Sequence, residues 1–111
     1  DSGYGKHFSE IGKKYGPFDL AMIDCGQYNN AWKHSHMFPE EAVIAAKELV
    51  SKYFMPIHWG TFTLSTHSWN EPIDESIYYA KKYNQNIIAP EIGEVIFLNN
   101  INNKIYKWWL E

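Results

Sequence analysis

Two short apolar segments joined by a helix constrain the fold of this chain more than any other feature. Residues 18–23 form one apolar segment and residues 54–58 form the second. Between them, Pro39 suits the first position of a helix, and Glu40 and Glu41 suit its first turn, where the helix dipole favours acidic groups. A strand, a helix and a strand in this order predict an α/β fold with a parallel pair of strands.

The other elements follow from periodicity and turn residues. A short helix is predicted over 7–15, because Gly16 and Pro17 end it, and another over 74–83. The helix that begins at Pro39 carries apolar residues on one face as far as Tyr53. Residues 27–38 are expected to form a loop rich in Asn, Trp, Tyr and His. Residues 94–98 and 104–109 are predicted as a hairpin across the Asn-rich turn 99–103.

Composition excludes some functions. The net charge of the 111 residues is −3, and all ten basic residues are Lys. Nucleic-acid binders normally carry a basic surface with Arg, so no nucleic-acid partner is expected. No segment has the roughly 18 apolar residues of a membrane span. The single cysteine, Cys25, fits a reducing compartment, and we expect a cytoplasmic location.

Candidate chemistry lies where the predicted strands end. The first strand runs into Asp24-Cys25-Gly26 and the second into His58-Trp59-Gly60. Parallel strands would bring both ends to one edge of the sheet, the usual position of ligands in open α/β sheets. The opening Asp1-Ser2-Gly3-Tyr4-Gly5 has the same character, and His34 and His36 lie in the loop beside this edge.

Each candidate has a structural alternative. His58 suits a metal ligand, and equally a hydrogen-bonded residue at a strand end. Asp1 suits a ligand or a solvated cap, the pair His34 and His36 suits a chelate or a chance spacing, and Cys25 suits a small buried residue. Aromatic residues near the edge suit a pocket lining or a core: Tyr28, Trp32, Trp59, Phe62 and Trp69.

The order of several motifs resembles the second half of the metallo-β-lactamase superfamily. The match is closest to the branch of N-acylphosphatidylethanolamine-hydrolysing phospholipase D, and the ascorbate-6-phosphate lactonase group is more distant. The motifs are Asp1-Ser2-Gly3-Tyr4-Gly5, Gly16-Pro17-Phe18-Asp19-Leu20-Ala21, Gly26-Gln27-Tyr28, His36-Met37-Phe38-Pro39-Glu40-Glu41-Ala42-Val43 and Ile57-His58-Trp59-Gly60-Thr61-Phe62.

The resemblance implies a fold and a site. The fold would be a four-layer αββα sandwich, of which residues 1–111 form the C-terminal portion of one domain whose N-terminal half is absent from the chain. Asp1 would match the carboxylate that bridges two metal ions, and His58 the final histidine ligand. His36 would match an active-site histidine that orients substrate or stabilises charge. The expected cofactor is zinc, as two divalent ions, with manganese or iron as alternatives.

Two departures from the family pattern limit this expectation. The motif His-x-His-x-Asp-His, which supplies most metal ligands, does not occur in the chain. Asp1 and His58 alone would hold a metal weakly, because zinc enzymes use about three protein ligands per ion. The segment Ile23-Asp24-Cys25-Gly26 also differs from relatives, which tend to be apolar with a Pro there. The chain by itself is therefore expected to be inactive.

Two functions from different classes follow. The first is part of a metal-dependent hydrolase that directs metal-activated water at a phosphodiester or other ester-like bond, as a phospholipase D does. The alternative is a non-catalytic α/β binding or assembly module that keeps the scaffold without a complete metal site. Expected partners are the N-terminal half of the same domain, a small or lipid-like substrate and a second copy of the chain. The sequence gives no support for peripheral membrane contact.

Overall fold

Two parallel strands form the centre of the fold in the computed structural model, which describes residues 1–102 and 104–111. The strands are β1 (Phe18–Asp24) and β2 (Ser51–Ile57). Their register runs from Phe18 opposite Ser51 to Asp24 opposite Ile57. Both strands therefore end at the same edge of the sheet, and the predicted parallel pairing is confirmed.

The described part of the chain contains three helices beside this pair of strands. They are α1 (His7–Tyr15), α2 (Pro39–Glu48) and α3 (Glu71–Lys82), and single 3₁₀ turns occur at Asn30–Trp32 and Trp108–Leu110. The helix predicted over 74–83 begins earlier, because Pro72 occupies its first turn rather than preceding it. Among residues 1–102 and 104–111, none of the helices has the length and apolar character of a membrane span.

Helix α2 begins where the sequence predicts and ends sooner. The carboxylate of Glu41 accepts a hydrogen bond from the backbone N–H of Phe38 at 3.0 Å, which stabilises the first turn. At the other end, Val50 adopts a positive φ of 57°, and Ser51 already pairs with Phe18. The strand register therefore stops the helix before its apolar pattern ends.

The core lies between α2 and the two strands. Phe54 of β2 is the largest fully buried side chain. The buried face of α2 consists mostly of small side chains, which lets the helix approach its neighbours closely. The buried residues of α2 are Pro39, Ala42, Val43, Ala45 and Ala46.

The predicted hairpin of the C-terminal tail is wrong. The described part of residues 94–109 contains no strand, and Asn103 of the predicted turn lies outside the described residues. Instead the rings of Trp108 and Trp109 pack on Trp59, at centroid distances of 5.5 and 5.6 Å. The indole N–H of Trp109 also donates to Asp74 Oδ1 at 3.1 Å. Packing of these large aromatic rings outweighs what an isolated two-stranded ladder offers.

Candidate metal centre

The ends of the two strands place two side chains of the site. Asp24 is the last residue of β1, and His58 directly follows β2. A parallel β-bridge between Ser2 and His36 brings the N-terminal segment and the long loop to the same edge. The structure thus gathers Asp1, His36 and His58, which the sequence predicted as site residues.

These residues form one compact group, the candidate metal centre, which consists of Asp1, Asp24, His36 and His58. Nδ1 of His58 lies 3.0 Å from Oδ1 of Asp1 and 3.4 Å from Oδ1 of Asp24. Nδ1 of His36 lies 2.8 Å from Oδ2 of Asp24 and 3.7 Å from Oδ1 of Asp1. One ligand atom from each residue lies within 4.8 Å of all the others.

The charges of this group favour a bound cation. The side chain of Asp24 is only 3% exposed, whereas that of Asp1 is 68% exposed. In the part of the chain that the structure describes, no lysine forms an ion pair with either carboxylate. Two carboxylates and two imidazoles are ligands that zinc, manganese and iron accept. The donor set therefore fits a divalent metal ion.

Close approach of the two strand ends depends on Gly26. A Cβ atom at this position would lie 1.8 Å from the carbonyl oxygen of His58, so a larger residue would push the ends apart. His58 itself has a φ of 67°, in the left-handed region that non-glycine residues seldom adopt. Backbone strain of this kind is frequent at functional sites.

A cavity of about 700 Å³ opens beside the candidate metal centre. Asp1, His36 and His58 line it on one side. The remaining wall is largely apolar and includes the side chains of Trp32, Trp59, Phe62 and Leu64. The site thus combines a polar group of metal-ligand type with room for a partly apolar molecule.

Gln27 holds one wall of this cavity in place. Its side-chain Oε1 accepts a hydrogen bond from the backbone N–H of Leu64 at 2.6 Å, and its Nε2 donates to the carbonyl oxygen of Phe62, also at 2.6 Å. Its backbone N–H donates to Nε2 of His67 at 2.9 Å. The loop after β2 is therefore tied to the loop after β1.

Other sequence candidates stand apart from the centre. His34 is exposed and does not belong to the group. Cys25 is fully buried, and burial raises the pKa of its thiol to about 12, so the thiol stays neutral and unreactive near pH 7. Of the aromatic candidates, Tyr28 is buried and makes no part of the cavity wall, and Trp69 is also absent from that wall.

Asp24 is the member of the candidate metal centre to which the sequence assigns no role. The sequence places Asp24 at a strand end that could carry chemistry, but it is otherwise treated only as a departure from the family pattern. An acidic residue at the end of a buried strand, on the edge that carries His58, was the available signal.

Comparisons with known proteins agree with this architecture. The family model for the beta-lactamase superfamily domain matches residues 1–59. The uncharacterized protein Rv0906 of Mycobacterium tuberculosis is 38% identical over 112 residues, which cover 98% of this chain and 30% of that protein. N-acyl-phosphatidylethanolamine-hydrolyzing phospholipase D 1 of Caenorhabditis elegans is 40% identical over 79 residues, covering 68% of this chain and 22% of that protein.

A solved structure supports the fold. The chain superimposes on Igni18, a metallo hydrolase from Ignicoccus hospitalis, with a TM-score of 0.64 and 24% identity, over 86% of this chain and 37% of that one. The mixed α/β fold with parallel strands matches part of a metallo-β-lactamase fold. The chain belongs to the metallo-β-lactamase superfamily and spans less than a third of the length of the curated relatives named above.

Proposed function

We propose that the chain is part of a metal-dependent hydrolase, in which Asp1 and His58 bind metal and His36 is a catalytic residue. The observation that carries this proposal is the candidate metal centre beside a cavity of about 700 Å³. Family membership supports hydrolysis as the reaction type. The proposed cofactor is zinc, as two divalent ions.

The residues of the site have distinct proposed roles. When bound, the metal supplies an activated water and polarises the bond under attack. A carboxylate only accepts hydrogen bonds, so the contact with Asp24 keeps a proton on Nδ1 of His36. Nε2 of His36 is then the atom available to hold or move a proton at the substrate, since the ring lines the cavity.

The proposed substrate is a phosphodiester with an apolar portion. The aromatic wall of Trp32, Trp59 and Phe62 suits the apolar portion. The name of the nematode relative, a phospholipase D, supports a phosphodiester as the bond that is cleaved.

We also propose that residues 1–111 form the C-terminal portion of one domain, completed by an N-terminal half. An apolar groove beside β1, of about 380 Å³ and lined by Phe8, Leu20 and Met22, is the surface we assign to that half. By itself the chain would then be inactive and would self-associate through this groove. We also propose a cytoplasmic location, because a single cysteine fits a reducing compartment.

One sequence observation and one assay test the proposed function. An encoded His-x-His-x-Asp-His upstream of Asp1 supports the hydrolase, whereas a full-length protein without it would be a binding module. In the zinc-loaded full-length protein, His36→Ala should lower kcat on bis(p-nitrophenyl) phosphate by about 100-fold or more. The matched control is His34→Ala, an exposed histidine of the same loop, which should leave kcat unchanged. Equal kcat values for the two variants would contradict the role of His36.

A further inference from the structure

We propose that Asp24 is a third protein ligand of the metal that Asp1 and His58 hold, and that it binds through Oδ1. This inference rests on the proposed function, since it assigns a residue to the same site. Within residues 1–111 it adds a ligand to Asp1 and His58, which by themselves fall short of the roughly three protein ligands that a catalytic zinc ion uses.

The spacing of the donor atoms supports a shared ion. Zinc bonds of about 2.0–2.1 Å in tetrahedral geometry place two ligand atoms about 3.3 Å from each other. Nδ1 of His58 lies 3.0 Å from Oδ1 of Asp1 and 3.4 Å from Oδ1 of Asp24. Only small shifts of these three atoms would therefore bring them to the spacing of ligands around one zinc ion.

The contacts of Asp24 leave its Oδ1 suited to this role. Oδ1 accepts a hydrogen bond from the backbone N–H of Gly26 at 3.2 Å, which orients the carboxylate and leaves the oxygen a second lone pair. Oδ2 is the partner of His36 Nδ1 at 2.8 Å. One carboxylate thus contacts His58 through one oxygen and His36 through the other, and would couple the metal to the catalytic histidine.

Burial strengthens the case for a ligand. The Asp24 side chain is 3% exposed, and an ionised carboxylate in such a place requires compensation by charge and hydrogen bonds. The sheet fixes its position as well, because Asp24 is paired with Ile57, the residue before His58. The carboxylate of Asp24 is therefore already oriented for a divalent ion, and binding would require no rearrangement of β1 or β2.

Zinc titration of the metal-free full-length protein, with a chromophoric chelator as competitor, tests this assignment. Asp24→Asn keeps the size of the side chain and the acceptor for Gly26, and should weaken zinc binding by about 100-fold or more, beyond the effect typical of an outer hydrogen-bonding partner. Asp19→Asn is the matched control, since Asp19 is an exposed aspartate of the same strand, and it should bind zinc like the wild type.

Three results would overturn the assignment. If Asp24→Asn binds zinc within threefold of the wild type, or leaves the visible spectrum of the Co²⁺-substituted protein unchanged, Asp24 is not a ligand. If Asp1→Asn abolishes binding while Asp24→Asn does not, the metal site stands and only the role of Asp24 fails. If the wild type binds no zinc, the proposed function fails with it.

A folding control separates ligand loss from structural damage. Circular dichroism of metal-free Asp24→Asn should match that of Asp19→Asn. If Asp24→Asn unfolds, Asp24→Glu, which keeps the charge and moves the oxygens by one methylene, provides the test. It should change the Co²⁺ spectrum, and an unchanged spectrum would overturn the assignment.

Discussion

Replacing Gln27 by Ala should release the loop that forms one wall of the cavity. The substitution removes two short side-chain hydrogen bonds, from the N–H of Leu64 and to the carbonyl of Phe62. It also removes two longer ones, from the N–H of Ser65 at 3.3 Å and to the carbonyl of His58 at 3.4 Å. Hydrogen bonds of this kind contribute about 0.5–1.5 kcal/mol each when well formed. The two short ones are open to solvent and the two longer ones are weak, so about 1 kcal/mol in total is expected. The native backbone outside this loop should be unaffected.

Amide hydrogen exchange followed by NMR measures this local effect. A loss of about 1 kcal/mol predicts that the Leu64 amide exchanges about fivefold faster in Gln27→Ala. The amide of Phe54, which donates to Asn86 within the core, is the internal control and should keep its rate. Gln27→Glu keeps the acceptor for Leu64 but faces the carbonyl of Phe62 with a carboxylate, so it should also open the loop.

Two results would refute this reasoning. An unchanged Leu64 rate in Gln27→Ala would show that the side chain does not hold the loop. Equal acceleration at Leu64 and Phe54 would show global destabilisation in place of local opening.

Two further predictions concern stability. Burial raises the pKa of Cys25 from about 9 in the unfolded chain to about 12 in the folded protein. The free energy of unfolding therefore keeps its full value well below pH 9 and falls as the pH rises, by about 1.4 kcal/mol at pH 10. Urea unfolding of wild type and Cys25→Ala at pH 8 and 10 should show this extra loss in the wild type only, and equal losses would contradict it. Phe54→Ala should cost about 3–5 kcal/mol by removing the largest buried side chain. Phe97→Ala, at a 68% exposed phenylalanine, should cost less than about 0.5 kcal/mol, and similar costs for both would refute the assigned core.

The centre of the fold could be predicted from sequence because local signals and tertiary packing agree there. Pro39 and the apolar segments on either side of its helix define a strand, a helix and a parallel strand, and that order brings His58 to the predicted edge. The prediction for the C-terminal tail was wrong because local signals and tertiary packing disagree there. The pattern around Trp108 and Trp109 satisfies a strand, but the packing partner of these rings is a distant tryptophan that sequence spacing does not reveal.

The candidate site was predictable in part. Roles for Asp1 and His36 were predicted from the family resemblance. The structure brings the two residues together through the bridge between Ser2 and His36, which no local pattern indicates. Asp24 received no role because Asp at the end of a strand also suits a solvated turn. Only the register of the two strands shows that its carboxylate turns toward the histidines.

Anomalous X-ray diffraction at the zinc absorption edge, on crystals grown with zinc, tests the central claim most directly. We predict an anomalous peak for an ion bound by Asp1 and His58, with Oδ1 of Asp24 within about 2.2 Å of the ion. A bound zinc ion at another place in the chain, with these side chains free of metal, would contradict it.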